Sequence, residues 1–365
     1  MTVVACMALT TQAQVQTQAQ SKEQPQASQN LRLLNEDKPS EYIPVLQYWK
    51  EHNILQHLDL SVTAGTTGIG IDLASPIGDY VQVRMGYEFM PRFEVSMSFP
   101  LTIGGEPARA YDADGNRKET RFDKMKDFLY EFTGYDVEDH ADMVGKPTLN
   151  NFKLLVDVFP FKQNRHWHFT GGFYWGPSEF ATAINSTEAM VSLLSVGIYN
   201  SMYEKAEAGE PLINMESMGI TGVSMDFPQQ LMDKFVGFGR MGFSLGTFKH
   251  DVVDNNGVLH QAGERYIVEP AEDGTVRVKA TSNAFKPYVG FGYGGSLLKN
   301  RSDWKVSFDM GAMFWGGTPN LYVHDGVNLT KDVENINGKI GSYVDMFKVF
   351  KVYPVLSFRL TKTLF

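Results

Sequence analysis

The chain of 365 residues contains a single cysteine, Cys6, so no disulfide framework can form within it. It also lacks any stretch approaching the ~20 apolar residues of a spanning helix. The longest candidate, Ala189–Ile198, is short and broken by Ser192 and Ser195. Basic residues are outnumbered: 33 Lys and Arg stand against 42 Asp and Glu, a net charge of -9. That balance argues against a nucleic-acid partner, whose phosphates need a basic patch.

Glycine and aromatic rings are abundant, with 34 Gly and 13% Phe, Trp and Tyr. That pairing suits a sheet whose outer surface carries aromatic girdles and whose bends need glycine. The length allows two ordinary globular domains, or one barrel with large loops. A membrane location would therefore require a barrel.

Residues 1–13 read as a signal peptide: the apolar run Val3 to Leu9 precedes small residues at Thr11 and Ala13, which suit cleavage before Gln14. The usual Lys/Arg n-region is missing, which implies a start codon a few residues upstream. The rival reading is a lipoprotein signal with a lipidated Cys6. Residues 14–57 read as a flexible linker, a Gln/Ala/Ser tract from Gln14 to Asn30, followed by a short periplasmic helix over Glu41–Leu55.

From Leu58 onward the apolar residues recur with period two. Val81, Val83, Met85, Tyr87 and Phe89 alternate with Gln82, Arg84, Gly86 and Glu88. The same pattern runs through Phe93 to Phe99, Phe152 to Val158, Trp167 to Trp175, Met241 to Leu245, Trp304 to Phe314 and Leu356 to Leu360. Such strands put one apolar and one polar face on a sheet. Apolar faces rich in Phe, Trp and Met, on segments of about ten residues, favour a membrane barrel over a soluble sandwich.

An even strand count requires a further strand, in Arg265–Val268 or Thr275–Ala280. The expected fold is thus all-β, an antiparallel transmembrane barrel of about ten strands (8–12) over residues 58–365. Short periplasmic turns fall near Met90-Pro91, Phe161–Arg165 and Leu298–Ser302. Long, partly helical extracellular loops then cover 104–148, 176–236 and 316–347, with both termini in the periplasm. The phase switch at Gly65-Thr66-Thr67-Gly68 marks a bulge in the first strand, or a tight turn that would change the count.

Two stretches, Leu58–Val95 and Lys286–Gly295 followed by Ser307–Pro319, resemble outer-membrane barrels of the Bacteroidetes type, loosely related to OmpA- or OmpW-like porins. The resemblance implies location and architecture and brings no catalytic residue. The C-terminus is similar to the assembly signal of such barrels, which implies recognition by the barrel-assembly machinery through Phe365. Thr363 stands where a second aromatic is usual.

Eight charged residues should face the lumen: Arg84, Glu88, Glu94, Asp157, Arg240, Lys305, Asp309 and Arg359. In a narrow barrel opposite charges should pair and fill the space; the functional rival is a charged solute path. His166 and His168 share a strand face and can either chelate a metal or hydrogen-bond in the lumen. Asp112 to Asn116 begins like a calcium loop but lacks the later acidic ligand, so a turn is the other reading.

In the loops, Met190, Leu193, Leu194 and Ile198 form an apolar stripe at helical spacing, as do Phe122, Met125, Leu129 and Phe132. Packing as a lid, binding an apolar ligand, or docking a partner would each cover them. No nucleophile motif, cofactor motif or metal set is present, so no enzymatic activity and no cofactor are expected. The expected role is structural or surface-binding, with outer-membrane lipid as a partner. A porin-like channel or transporter for small solutes, apolar ones included, is the alternative, and an outer-membrane enzyme is the remote one.

Overall fold

The computed structural model describes residues 57–134, 136–161, 163–211, 229–298 and 301–364. The segments expected to be a signal peptide (1–13), a linker and a 41–55 helix lie outside the described residues, as does Phe365.

Eight strands close an antiparallel barrel: β1 (Asp59–Gly65), β2 (Gly68–Ile77), β3 (Val81–Phe89), β4 (Asn150–Val158), β5 (Trp167–Trp175), β6 (Phe285–Leu298), β7 (Arg301–Phe314) and β8 (Val352–Thr363). Each pairs with its neighbour in sequence. The ring closes where β8 meets β1, with Asp59 opposite Thr363 and Val62 opposite Leu360.

The count of about ten is corrected to eight, for two reasons. Gly65–Gly68 is a hairpin turn rather than a bulge, which splits the first expected strand. Gly68 has φ 112, and a Cβ there would lie 2.2 Å from the Phe89 carbonyl oxygen. Conversely, the alternating segments at 93–99 and 241–245, and both candidates at 265–268 and 275–280, pair outside the barrel. Met90-Pro91 is likewise no turn at the terminal end. Met90 N–H still bonds the Leu149 carbonyl at 2.9 Å, and the chain then leaves the barrel at Pro91, which has no N–H to extend a ladder. On that side of the wall the β2–β3 turn is Gly78 to Tyr80, and the β4–β5 connection, with the expected turn at Phe161–Arg165, lies there too.

Three long connections, 90–149, 176–284 and 315–351, leave the same end of the barrel and fold together as a cap. The first two exceed the loops expected from sequence because they contain strands expected in the wall. One cap sheet has five strands in the order Asn320–Val323, Arg277–Thr281, Glu179–Asn185, His140–Pro147, Val95–Pro100. A second is built around Met241–Phe248, flanked by Arg265–Val268 and Thr102–Ile103. Among the described residues four helices complete it: α1 (Arg121–Thr133), α2 (Thr187–Ala208), α3 (Gln229–Phe238) and α4 (Gly338–Val349).

The helix ends are specified locally. Thr120 and Asp123 form a capping box at the start of α1, and Gly134 closes it in the left-handed region. Ser186 caps α2 through its hydroxyl, which accepts from Ala189 N–H, and Gly209 ends it. Phe122, Met125 and Leu129 of α1 and Leu193, Val196 and Tyr199 of α2 sink into the cap core beside Leu101, Ile103 and Phe248. No described helix is long and apolar enough to cross a membrane.

Candidate functional site

The barrel wall turns its apolar residues outward. Ile71, Tyr87, Trp175 and Phe285 are all exposed, and register places them on neighbouring strands at the cap end. Trp167 and Tyr293, 4.9 Å apart edge to face, mark the other end. Between these aromatic levels lie exposed Val289, Phe308, Leu356 and Phe358.

The inward positions hold charge. Arg84 reaches Asp157 at 2.9 Å, Asp309 at 3.4 Å and Asp72 at 3.8 Å. Lys153 lies 2.9 Å from Asp72 and also pairs with Glu88. Arg359 bridges Asp157 and Asp309 at 3.5 and 3.4 Å, and His168 Nε2 is 2.8 Å from Asp309 Oδ1. Thr170 donates to Asp157 at 2.7 Å. Every one of these side chains is buried. Four carboxylates thus meet Arg84, Lys153, Arg359 and His168 in one connected network. Space for it comes from inward glycines: a Cβ on Gly292 would sit 2.2 Å from Asp309 Oδ1, and one on Gly86 2.0 Å from Asp72 Oδ1.

Toward the cap the inward side chains become apolar and aromatic. Leu155, Tyr174, Tyr288, Met313 and Val355 are buried, and Trp315 stacks on Tyr353 with ring centres 5.2 Å apart. Phe180 of the cap sits on Trp315 at 4.2 Å. Below the network, at the end bearing the described termini, the lumen opens into a polar cavity of about 480 Å³ lined by Asp59, Arg165, His166, His168, Lys305 and Arg359.

A second cavity, of about 390 Å³, lies in the cap. One face of the five-stranded sheet forms its floor. Register aligns Val95, Gly145, Ala183, Val278 and Val323 in one row across the strands, and Pro147, Ala181, Ala280 and Leu321 in the next. The middle of that floor is made of small residues. The roof comes from Ile340, Val344 and Phe347 of α4 and from Phe243, Leu245 and Val268 of the second sheet. Tyr343 is the polar side chain of the lining; Thr182 and Lys146 stand in the row between the two floor rows and border the cavity through their backbone. Tyr343 meets Phe99 edge to face at 6.3 Å, joining α4 to the edge strand.

Of the eight residues expected in the lumen, Arg84, Glu88, Asp157, Asp309 and Arg359 lie in the network. Lys305 lines the lower cavity, 3.5 Å from Asp59 and half exposed. Glu94 and Arg240 are corrections: both belong to the cap. Glu94 pairs with Lys146 at 2.9 Å, and Arg240 with Glu269 at 2.7 Å and Glu204 at 3.0 Å. Asp72 and Lys153 were not among the candidates. Each stands in the polar phase between apolar neighbours, which is the signal that would have found it.

The loop stripe is corrected too. Leu193 is fully buried, but Leu194 and Ile198 are exposed and Met190 is half-buried. The buried face of α2 runs through Ala189, Leu193, Val196 and Asn200, whose side-chain amide donates to the Met241 carbonyl at 2.7 Å and accepts from its N–H at 2.9 Å. Of the Phe122 stripe, Phe122, Met125 and Leu129 are buried, and the side chain of Phe132 lies outside the described residues.

Among the described residues no group of three His, Cys, Asp or Glu could hold a metal ion. His166 Nδ1 lies 2.6 Å from the Gly294 carbonyl oxygen, and His168 is engaged by Asp309. Asp112 Oδ1 accepts from the N–H groups of Asp114 and Asn116, a turn that uses the carboxylate internally.

No family model matches the chain, and no curated protein matches it. Among solved structures, CarO2 and CarO of Acinetobacter baumannii are similar at 13% identity and a TM-score of 0.34, over 84% of this chain and 98% and 97% of theirs. The barrel described above rests on its own strand pairing and not on that likeness.

Proposed function

We propose that the chain is an outer-membrane protein whose barrel is a closed anchor and whose cap is the working, surface-binding part. One observation carries the reading. Around the barrel the apolar side chains are outside and the charges inside, an arrangement stable only where lipid surrounds the wall. With an eight-stranded wall, side chains suffice to fill the interior. The ionic network and the aromatic layer above it do so here.

The described chain ends share one end of the barrel, and the cap occupies the other. In this reading the ends face the periplasm, the cap faces outward, and Phe365 serves the assembly machinery. Kinship with Bacteroidetes-type barrels fits the same picture.

The test combines membrane fractionation with a gel run with and without boiling. The folded barrel is expected in the membrane pellet and to migrate anomalously until heated. Recovery in the soluble periplasmic fraction would end the reading. The porin-like alternative draws support from the lower cavity of about 480 Å³, which reaches up to His168 and Arg359. In planar bilayers the closed anchor gives no steady conductance, whereas a channel would.

A further inference from the structure

We propose that the apolar cavity of the cap takes an acyl chain that enters sideways from the lipid around the barrel. The proposal rests on the membrane reading above and adds to it a ligand class and a route.

The cavity has the size of an ordinary ligand pocket, about 390 Å³ in a range of roughly 300–1,000 Å³. It differs from such pockets in lacking convergent polar groups. A polar ligand would find little to orient it, and water would find few of the two to four partners it needs. An occupant must therefore be apolar along most of its length. Its depth is set by residue size: Gly145, Ala181, Ala183 and Ala280 keep the sheet floor low where larger side chains would have met α4.

The mouth gives the route. Phe93 and Val95 on one side, and Tyr343 and Met346 on the other, line the cavity yet remain exposed. The first pair lies just beyond the end of β3, and the second just before the start of β8. In the barrel these two strands flank the short β1–β2 hairpin. On that side no long connection rises between them. Below the mouth the outer wall continues the apolar surface through Tyr87 and Phe89 of β3 and Leu356 and Phe358 of β8.

A chain leaving the lipid can therefore reach the cavity without crossing water. Lys146 pairs with exposed Glu94 at 2.9 Å beside the mouth, in the row that alternates with Gly145 and Pro147 and so faces away from the cavity. The cavity itself therefore offers the chain no charged group.

The experiment uses the full chain in phospholipid nanodiscs containing a lipid with a photoreactive diazirine near the end of its acyl chain. After irradiation, adducts are expected on cavity peptides carrying Met97 and Ala183, and on wall peptides carrying Met85 and Phe308. Two variants, Ala183→Trp and Ala280→Trp, fill the floor from different strands, and an unchanged protease pattern verifies their caps. In each, cavity adducts should fall at least about tenfold with wall adducts unchanged. Wall adducts without cavity adducts overturn the proposal and leave the membrane reading standing; loss of both overturns the two together. Cavity labelling undiminished in either correctly folded variant also overturns it. So does labelling obtained only when a diazirine fatty acid is supplied from water.

Discussion

The barrel and the cap are written in the same alternation and folded in opposite senses. In β3, Met85, Tyr87 and Phe89 point out of the molecule, while Arg84 and Glu88 are buried. Only a few residues later, Met97 and Phe99 alternate with Ser96 and Ser98 in the same rhythm, yet they turn toward the cap cavity. Period two identifies a strand with two unlike faces and does not say which face meets which medium. The polar alternates hold the missing information. In the wall strands they bring opposite charges that neutralise one another, Arg84 and Lys153 against Asp72, Glu88 and Asp157. In Val95–Pro100 and Met241–Phe248 they are serine and glycine, which fill no lumen.

If the barrel is held by its charged interior, removing one carboxylate should damage it most. Asp157→Asn leaves Arg84 and Arg359 facing a neutral amide in a buried place, a change expected to cost about 3–5 kcal/mol. The unboiled band should convert to the unfolded position at lower temperature or lower urea, with little early change in cap proteolysis. An unchanged transition would mean that the network is not what fills and steadies the wall.

The cap should fail from an apolar deletion instead. Leu193 is fully buried in its core, so Leu193→Ala should cost about 2–5 kcal/mol and speed cleavage of the cap by external protease, with the barrel still heat-modifiable. Leu194→Ala, one position along on the exposed side, should do much less. Equal effects would contradict the buried face of α2 described above.

Much of this was legible in the sequence, and the errors have two origins. The polar phase placed Arg84, Glu88, Asp157, Asp309 and Arg359 inside, because a wall strand offers only two directions. Glu94 and Arg240 were misplaced because they adjoin strands whose rhythm matches the wall but whose partners are in the cap. Pairing is a long-range property: the Val95–Pro100 strand meets His140–Pro147, and nothing near Val95 announces that. The α2 stripe failed differently. An all-round apolar helix allows several faces, and the choice fell to Asn200 and Tyr199, whose bonds to Met241 and the Gly239 carbonyl fix its rotation. The cavity left no mark in the periodicity, since it arises from small residues on strands that only the fold brings side by side.

The outer wall sharpens the comparison from the other side. Phe308→Arg puts a charge against lipid and should cost about 2–4 kcal/mol near the membrane centre. Tyr130→Arg, a similarly exposed aromatic on α1 of the cap, should be nearly neutral because water already surrounds it. Both side chains are open to the outside of the protein, so a large difference between them, read by urea titration in vesicles, would report the medium rather than the exposure. Equal tolerance would mean that the wall does not face lipid.

The smallest effect belongs to the surface of the cap, where charge does have a pH signature. Partial burial opposes ionisation of Asp139, but the two hydrogen bonds from Arg109, at 2.7 and 2.8 Å, and the contact with His140 outweigh it. The carboxyl is therefore held below the usual carboxylate range. A depressed folded-state value means that the stabilisation is present above the unfolded value of about 3.9 and is lost as pH falls through the folded one. Arg109 is half exposed, so solvent and salt screen the pair and keep its contribution small. Cap proteolysis with an acid-active protease between pH 6 and pH 3 should therefore show wild type slightly more resistant than Arg109→Ala at the upper end, with the two converging at the lower. A difference that persists undiminished at low pH would assign Arg109 a packing role instead of an ionic one.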